Sequence, residues 1–110
     1  MREKKQADDD AGTPGVSPET RRLHVYFSGN VQGVGFRYTA RTVARQFAVT
    51  GWVRNATDSR VELVAEGAVE ELERFLAALG DEMSGYIRDV ERAWEPPTGE
   101  WRSFEIDVAR

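Results

Sequence analysis

The chain has 110 residues, 40% hydrophobic and 31% charged, with a formal charge of −4, enough for one domain with one core. It contains no cysteine, which excludes a disulfide framework, a thiolate metal site and a cysteine nucleophile. The mild acidity is shared along the chain, with 3 Lys+Arg against 5 Asp+Glu before Arg21 and 12 against 14 from there on, so a nucleic-acid partner is disfavoured while a small anion held locally is not.

Residues 1–20 combine a charged start, the run Asp8-Asp9-Asp10 and the cluster Gly12, Pro14, Gly15, Pro18. This composition reads as a disordered, solvated tail and leaves 21–110 as the folded domain. From Leu23 the pattern has period two: Leu23, Val25 and Phe27 alternate with His24, Tyr26 and Ser28, as in a half-buried strand. His24 is the sole histidine, and its place on the second face of the strand favours a structural or solvated role over catalysis or metal binding.

Ser28 to Tyr38 follows, with Gly29, Gly33 and Gly35 lying between the strand and a helical pattern. Glycine admits positive φ angles that turn successive N–H groups into one concavity, and a helix start beyond it adds about half a positive charge. Arg37 brings a full charge and a planar fork of donors to the same place, so the stretch reads as an anion cradle.

Phe36, Ala40, Val43, Ala44 and Phe47 recur at helical spacing over about 12 residues, which puts Arg37 in the first turn. Val49 to Asn55 and Arg60 to Gly67 read as two strands joined by a tight turn at Ala56-Thr57-Asp58-Ser59. Asn55 ends its strand at the turn, where on its own terms an amide bonding its own backbone is sufficient explanation. A second helix carries Val69, Leu72, Leu76 and Leu79 at core spacing, with Glu70 and Glu71 in the first turn and Gly80 placed to stop it.

Ile87 to Trp94 is a weaker strand whose spacing of Ile87 and Val90 suggests a bulge, and Pro96 and Pro97 end it. Phe104, Ile106 and Val108 alternate in a final strand, with a hairpin left open for these last two runs. The order strand, helix, strand, strand, helix, strand predicts an α+β fold: a ferredoxin-like two-layer sandwich (βαββαβ), its antiparallel sheet carrying both helices on one face. No apolar run is long enough to span a bilayer and no signal-peptide core is visible, so a cytoplasmic protein without a membrane partner is expected.

Catalytic equipment is thin, with no cysteine, one histidine and no clustered metal ligands or convincing carboxylate pair. Phosphoryl chemistry depends chiefly on positioning and electrostatics, which backbone N–H groups, an arginine and an amide can supply if the leaving group is good. A carboxylate, whose parent acid has a pKa near ~4, leaves without prior protonation, so an acyl phosphate suits such a site.

Gly29-Asn30-Val31-Gln32-Gly33-Val34-Gly35-Phe36-Arg37 resembles the signature of the acylphosphatase family. Gly51-Trp52-Val53-Arg54-Asn55, followed by Val61 and Gly67, resembles the family's second block, and the likeness extends over Leu23 to Val108. The resemblance implies that Arg37 binds the substrate phosphate together with the loop amides of Gln32, Gly33, Val34, Gly35, Phe36 and Arg37. It implies that Asn55 orients the attacking water, which reverses the plain turn reading of Asn55. It also implies no metal, no cofactor and a small-molecule acyl phosphate as substrate; a monomer is expected separately.

Two positions depart from the family pattern: Ser59 stands where glycine is usual in the turn, and Phe27 is bulkier than the common aliphatic residue. If position 59 needs a positive φ, serine costs about 1 kcal/mol. Asn55-Ala56-Thr57 also spells a glycosylation sequon, taken as coincidence. The rival reading is an RNA-binding module, since Leu23 to Phe27 loosely resembles the first-strand motif of RNA-recognition domains; Val61 to Glu66 offers no aromatic for base stacking and carries two glutamates. A second rival is an acylphosphatase-like domain of a larger carbamoyl-transfer maturation protein.

Overall fold

Period-two alternation becomes strand β1, Thr20–Gly29, in which Leu23, Val25 and Phe27 are buried. The computed structural model describes residues 20–107; of the tail expected over residues 1–20, Thr20 instead opens β1, and the rest, with Val108, lies outside the described residues. Helix α1 covers Phe36–Ala44, strand β2 Val49–Asn55, strand β3 Val61–Ala68, helix α2 Val69–Glu82, strand β4 Ile87–Glu95 and strand β5 Phe104–Ile106. The sheet order is β4-β1-β3-β2-β5. Buried residues of β1, β2 and β3 share one cluster with Phe36, Ala40 and Val43 of α1 and Leu72, Phe75 and Leu79 of α2. Both helices therefore cover the same face, and the ferredoxin-like α+β sandwich is the observed fold.

Four strands pair antiparallel as expected, with Val25 opposite Leu63 across β1 and β3 and Val53 opposite Leu63 across β2 and β3. The bulge expected in β4 is present: Ser28 faces Asp89 while Gly29 faces Ile87, leaving Arg88 as the extra residue. The hairpin left open for the last two runs does not form. β5 crosses to the far edge and pairs parallel with β2, Gly51 facing Phe104 and Val53 facing Ile106. Burial decides this: Phe104 is enclosed and lies edge-on to Phe75, with 5.4 Å between ring centroids. Glu66 holds the crossing chain, accepting hydrogen bonds from the N–H groups of Thr98 (2.8 Å) and Gly99 (2.9 Å).

Helix lengths also differ from expectation. α1 is 9 residues long because its end tightens, with the N–H groups of Gln46 and Phe47 bonding the carbonyls of Val43 and Ala44. α2 runs through Gly80 to Glu82 instead of stopping there. Phe75, Leu79 and Met83 are all buried, and seating Met83 outweighs the roughly 1 kcal/mol that an interior glycine costs a helix.

The other face of the sheet carries charge. Tyr26 of β1, Glu62 of β3 and Arg54 of β2 stand in one row across the strands. Glu62 is 6% exposed and accepts hydrogen bonds from His24 Nε2 (2.7 Å), Tyr26 Oη (3.0 Å) and Arg54 Nε (2.9 Å). The other imidazole nitrogen, Nδ1, lies 2.9 Å from Glu95. Burial pushes the Glu62 carboxyl up, but these three hydrogen bonds outweigh it and its pKa falls below the ordinary value. The hydrogen bond from His24, followed by the charge of His24 and of Arg22, lowers Glu95 in the same direction. Burial and then the bond to Glu62 raise the Tyr26 phenol.

Carboxylates that ionise more readily when folded stabilise the fold above the unfolded carboxylate pKa, about 4.3, and lose that contribution as pH falls through their lower folded values. The urea midpoint should therefore drop more steeply between about pH 5 and 3 in the natural protein than in Glu62→Gln, which cannot titrate at this position. Equal slopes would show that Glu62 adds nothing to acid sensitivity.

Candidate functional site

β1 ends at the glycine loop, and α1 begins directly after it. Gly33 and Gly35 have φ of 76° and 80°, and Gly35 is the N-cap of α1. A Cβ at either would meet nothing within 4 Å. Glycine is required here by the left-handed backbone alone, not by close packing. The first helical bond runs from the Thr39 N–H to the Gly35 carbonyl at 3.0 Å, so the N–H groups of Phe36, Arg37 and Tyr38 precede the intrahelical ladder. This is the arrangement in which a helix start favours an anion.

Phe36 anchors that start. Its ring is buried and sits 4.9 Å from the ring of Phe27, so the bulk of Phe27 is absorbed by the residue immediately before Arg37. Val34 packs against the same core, leaving its main chain as its contribution to the loop. Gln32 turns the other way. Its Nε2 donates to the carbonyls of Ala56 (3.0 Å) and Arg60 (2.9 Å), bracing the glycine loop against the turn that follows Asn55.

Arg37 and Asn55, 18 positions apart in sequence, line one cavity of about 100 Å³ with Val31, Gly33, Gly35, Phe36 and Tyr38. Of the expected loop residues, Gly33, Gly35, Phe36 and Arg37 border this cavity, whereas the side chains of Gln32 and Val34 serve the brace and the core. Asn55 also borders a wider hollow of about 360 Å³ on the charged face, together with Tyr26, Arg54, Arg60 and Glu62. Tyr38 had not been singled out from sequence; its position beside Arg37 and outside the core spacing of α1 was the available signal. His24 borders neither cavity and is held between Glu62 and Glu95. Among the described residues no group of three or more His, Cys, Asp or Glu is arranged to hold a metal ion.

The turn between β2 and β3 is closed by the Ala56 N–H on the Arg60 carbonyl at 2.8 Å. Arg60 bonds Asp58 Oδ2 at 2.8 Å, which lowers the Asp58 pKa, and its guanidinium lies 4.0 Å from the centroid of the Tyr26 ring. Ser59 has φ 72°, the one positive value at a non-glycine residue among those described. The strain anticipated for serine at this position is therefore present. Ser59→Gly removes a left-handed penalty of about 1–2 kcal/mol and gives back about 0.5–1 through greater freedom of the unfolded chain. A rise in Tm of ~3 °C follows for a domain this size; a fall in Tm in a thermal melt would show that the serine is unstrained.

The fold and the glycine-loop site place the chain in a defined class, and comparison with known proteins gives the same answer. The acylphosphatase family profile matches residues 23–106. An acylphosphatase of Roseiflexus sp. is 44% identical over 86 residues, covering 77% of this chain and 92% of that protein. One of Trichormus variabilis is 44% identical over 98 residues, covering 84% and 94%. The crystal structure of acylphosphatase from Bacillus subtilis superposes with a TM-score of 0.72 at 29% identity, covering 80% of this chain and 99% of that one. The chain belongs to the acylphosphatase family.

Proposed function

We propose that the protein is an acylphosphatase enzyme, hydrolysing the carboxyl–phosphate anhydride of small acyl phosphates to a carboxylate and inorganic phosphate. The observation that carries this reading is the single cavity bordered by Gly33, Gly35, Arg37 and Asn55. The N–H groups at the start of α1 and the Arg37 guanidinium hold the phosphoryl oxygens and stabilise the charge that gathers on them. Asn55 positions a water on the phosphorus side opposite the leaving oxygen. The water oxygen bonds to phosphorus, the phosphorus–acyl oxygen bond breaks, and the electron pair leaves on the carboxylate. The water proton passes to the phosphate, since a leaving group with parent pKa near ~4 needs no acid. The reaction proceeds on this set of groups without metal or cofactor.

The buried Glu62 and Glu66 support this reading over an RNA-binding sheet, because they put carboxylates on the face where bases would stack. Residues 21–110 act as the catalytic unit, a cytoplasmic monomer acting on a small molecule, with no nucleic-acid or membrane partner and the N-terminal tail outside the chemistry. No helix among the described residues is long and apolar enough to cross a membrane. The test is release of phosphate from benzoyl phosphate in the presence of EDTA, with turnover expected well above spontaneous hydrolysis. A rate equal to the uncatalysed one defeats the hydrolase reading, and activity that appears only on adding a divalent cation defeats metal independence.

A further inference from the structure

The cavity is lined by both polar and apolar residues. The polar lining is Arg37, Asn55 and the backbone of Gly33 and Gly35, while Val31, Phe36 and Tyr38 complete it. Val31 and Phe36 are committed to the core, at 1% and 2% exposure, whereas Tyr38 is 62% exposed. The Arg41 guanidinium, one helical turn on, lies 5.3 Å from the centroid of the Tyr38 ring. An arginine stacked at (i, i+3) holds an aromatic ring in place and leaves its other face open. Tyr38 is thus a large, mostly exposed ring that contacts Arg41 and lines the cavity next to Arg37.

We propose that Tyr38 is the wall of an acyl subsite that selects flat aromatic acyl phosphates over short aliphatic ones. This rests on the reading of the cavity as an acyl-phosphate site. With the phosphoryl group anchored at the cradle, an acyl carbon chain leaves over the neighbouring side chain of α1. A planar ring covers the open face of Tyr38 and gains both buried area and ring–ring attraction. An acetyl group carries one methyl beyond its carbonyl and covers little of it.

Two measurements test this on natural protein, Tyr38→Ala and Tyr38→Phe. In the first, kcat/KM is compared for benzoyl phosphate and acetyl phosphate. The ratio of the two should fall about tenfold in Tyr38→Ala, through KM, and stay within twofold in Tyr38→Phe, which keeps the ring. In the second, Kd is measured for benzylphosphonate and methylphosphonate, which are not hydrolysed. The same tenfold fall in preference is expected in Tyr38→Ala. An unchanged preference in Tyr38→Ala overturns the proposal, as does its loss in Tyr38→Phe. If no acyl phosphate is hydrolysed, the hydrolase reading fails while the phosphonate preference still decides the subsite. Failure to bind either phosphonate overturns the subsite too, because it requires an anchored phosphoryl group.

Discussion

Arg37→Ala abolishes nearly all hydrolysis of benzoyl phosphate and leaves a protein that melts like the natural one. The two halves of this expectation come from the same feature. Arg37 is half-buried in the first turn of α1, and the buried residues of that helix are Phe36, Ala40, Val43 and Ala44, so its side chain is not part of the core. Loss of one preorganised donor at a site of developing charge typically lowers kcat by about 10²–10³, and here a full positive charge is lost as well. On the proposed role, in which the guanidinium also meets the ground-state phosphate, affinity for inorganic phosphate should fall together with turnover. Arg37→Lys keeps the charge but not the planar fork, and should recover only a small part of the activity. Asn55→Ala separates the roles: phosphate affinity is retained while kcat falls by about 10²-fold, the signature of an interaction made chiefly in the transition state. Steady-state kinetics with phosphate as inhibitor, alongside a thermal melt, check all three variants. An Asn55→Ala enzyme turning over at the natural rate would end the water-orienting role.

Gly51→Ala should be the most damaging single change of one methyl group. Gly51 has φ 143°, and a Cβ built there would lie 1.9 Å from the Val64 carbonyl oxygen and 2.8 Å from its carbon. Those are backbone atoms of the neighbouring strand, which cannot swing aside as a side chain could. The residue sits between β3 and β5, facing Ala65 on one side and Phe104 on the other, and donates its N–H to the Ser103 carbonyl at 3.0 Å. Accommodating the methyl requires β2 to part from a neighbour. The expected cost is about 3 kcal/mol or more, which lowers Tm on the order of 15 °C. A thermal melt shifted by less than 5 °C would mean that the sheet yields at this point. Asn55 lies four residues along the same strand, so activity in whatever folds should fall as well.

Much of the architecture was legible from spacing alone. Leu23, Val25 and Phe27 announced β1, the pattern from Phe36 to Phe47 announced α1 though it overran its end at Ala44, and the broken spacing of Ile87 and Val90 announced a bulge in β4. The failures share one cause, which is that tertiary burial overrode a local signal. Gly80 is a proper stop for an isolated helix, yet Met83 beyond it reaches the core. Phe104 chose its neighbour by fitting beside Phe75, and a three-residue strand has too little pattern to reveal a partner some fifty positions earlier. The approach of Arg37 to Asn55 had no periodic signal either; it was expected from the family resemblance. Gln32 and Tyr38 show what periodicity leaves out. A side chain that bonds two carbonyls across a turn, or an aromatic that faces out beside an arginine, leaves no repeat in the sequence. Glu62 and Glu66 entered the sequence reading only as carboxylates unsuited to base stacking; at 6% and 4% exposure they are buried acceptors fastening the open face of the sheet.

The two sides of the sheet are guarded by different means. β4 carries Arg88, Asp89, Glu91, Arg92 and Glu95 along its exposed length, and charge on an edge discourages a second chain from adding to it. β2 has no such row, since Val49, Gly51 and Val53 are buried, and its edge is covered only by the three residues of β5. β5 follows every other described strand in the sequence, and Thr98 and Gly99, shortly before it, are held by Glu66. Without that cover, the strand that ends in Asn55, with Arg54 as its one charged residue, presents an open edge. The same short segment that completes the core is thus a safeguard against association of half-made chains.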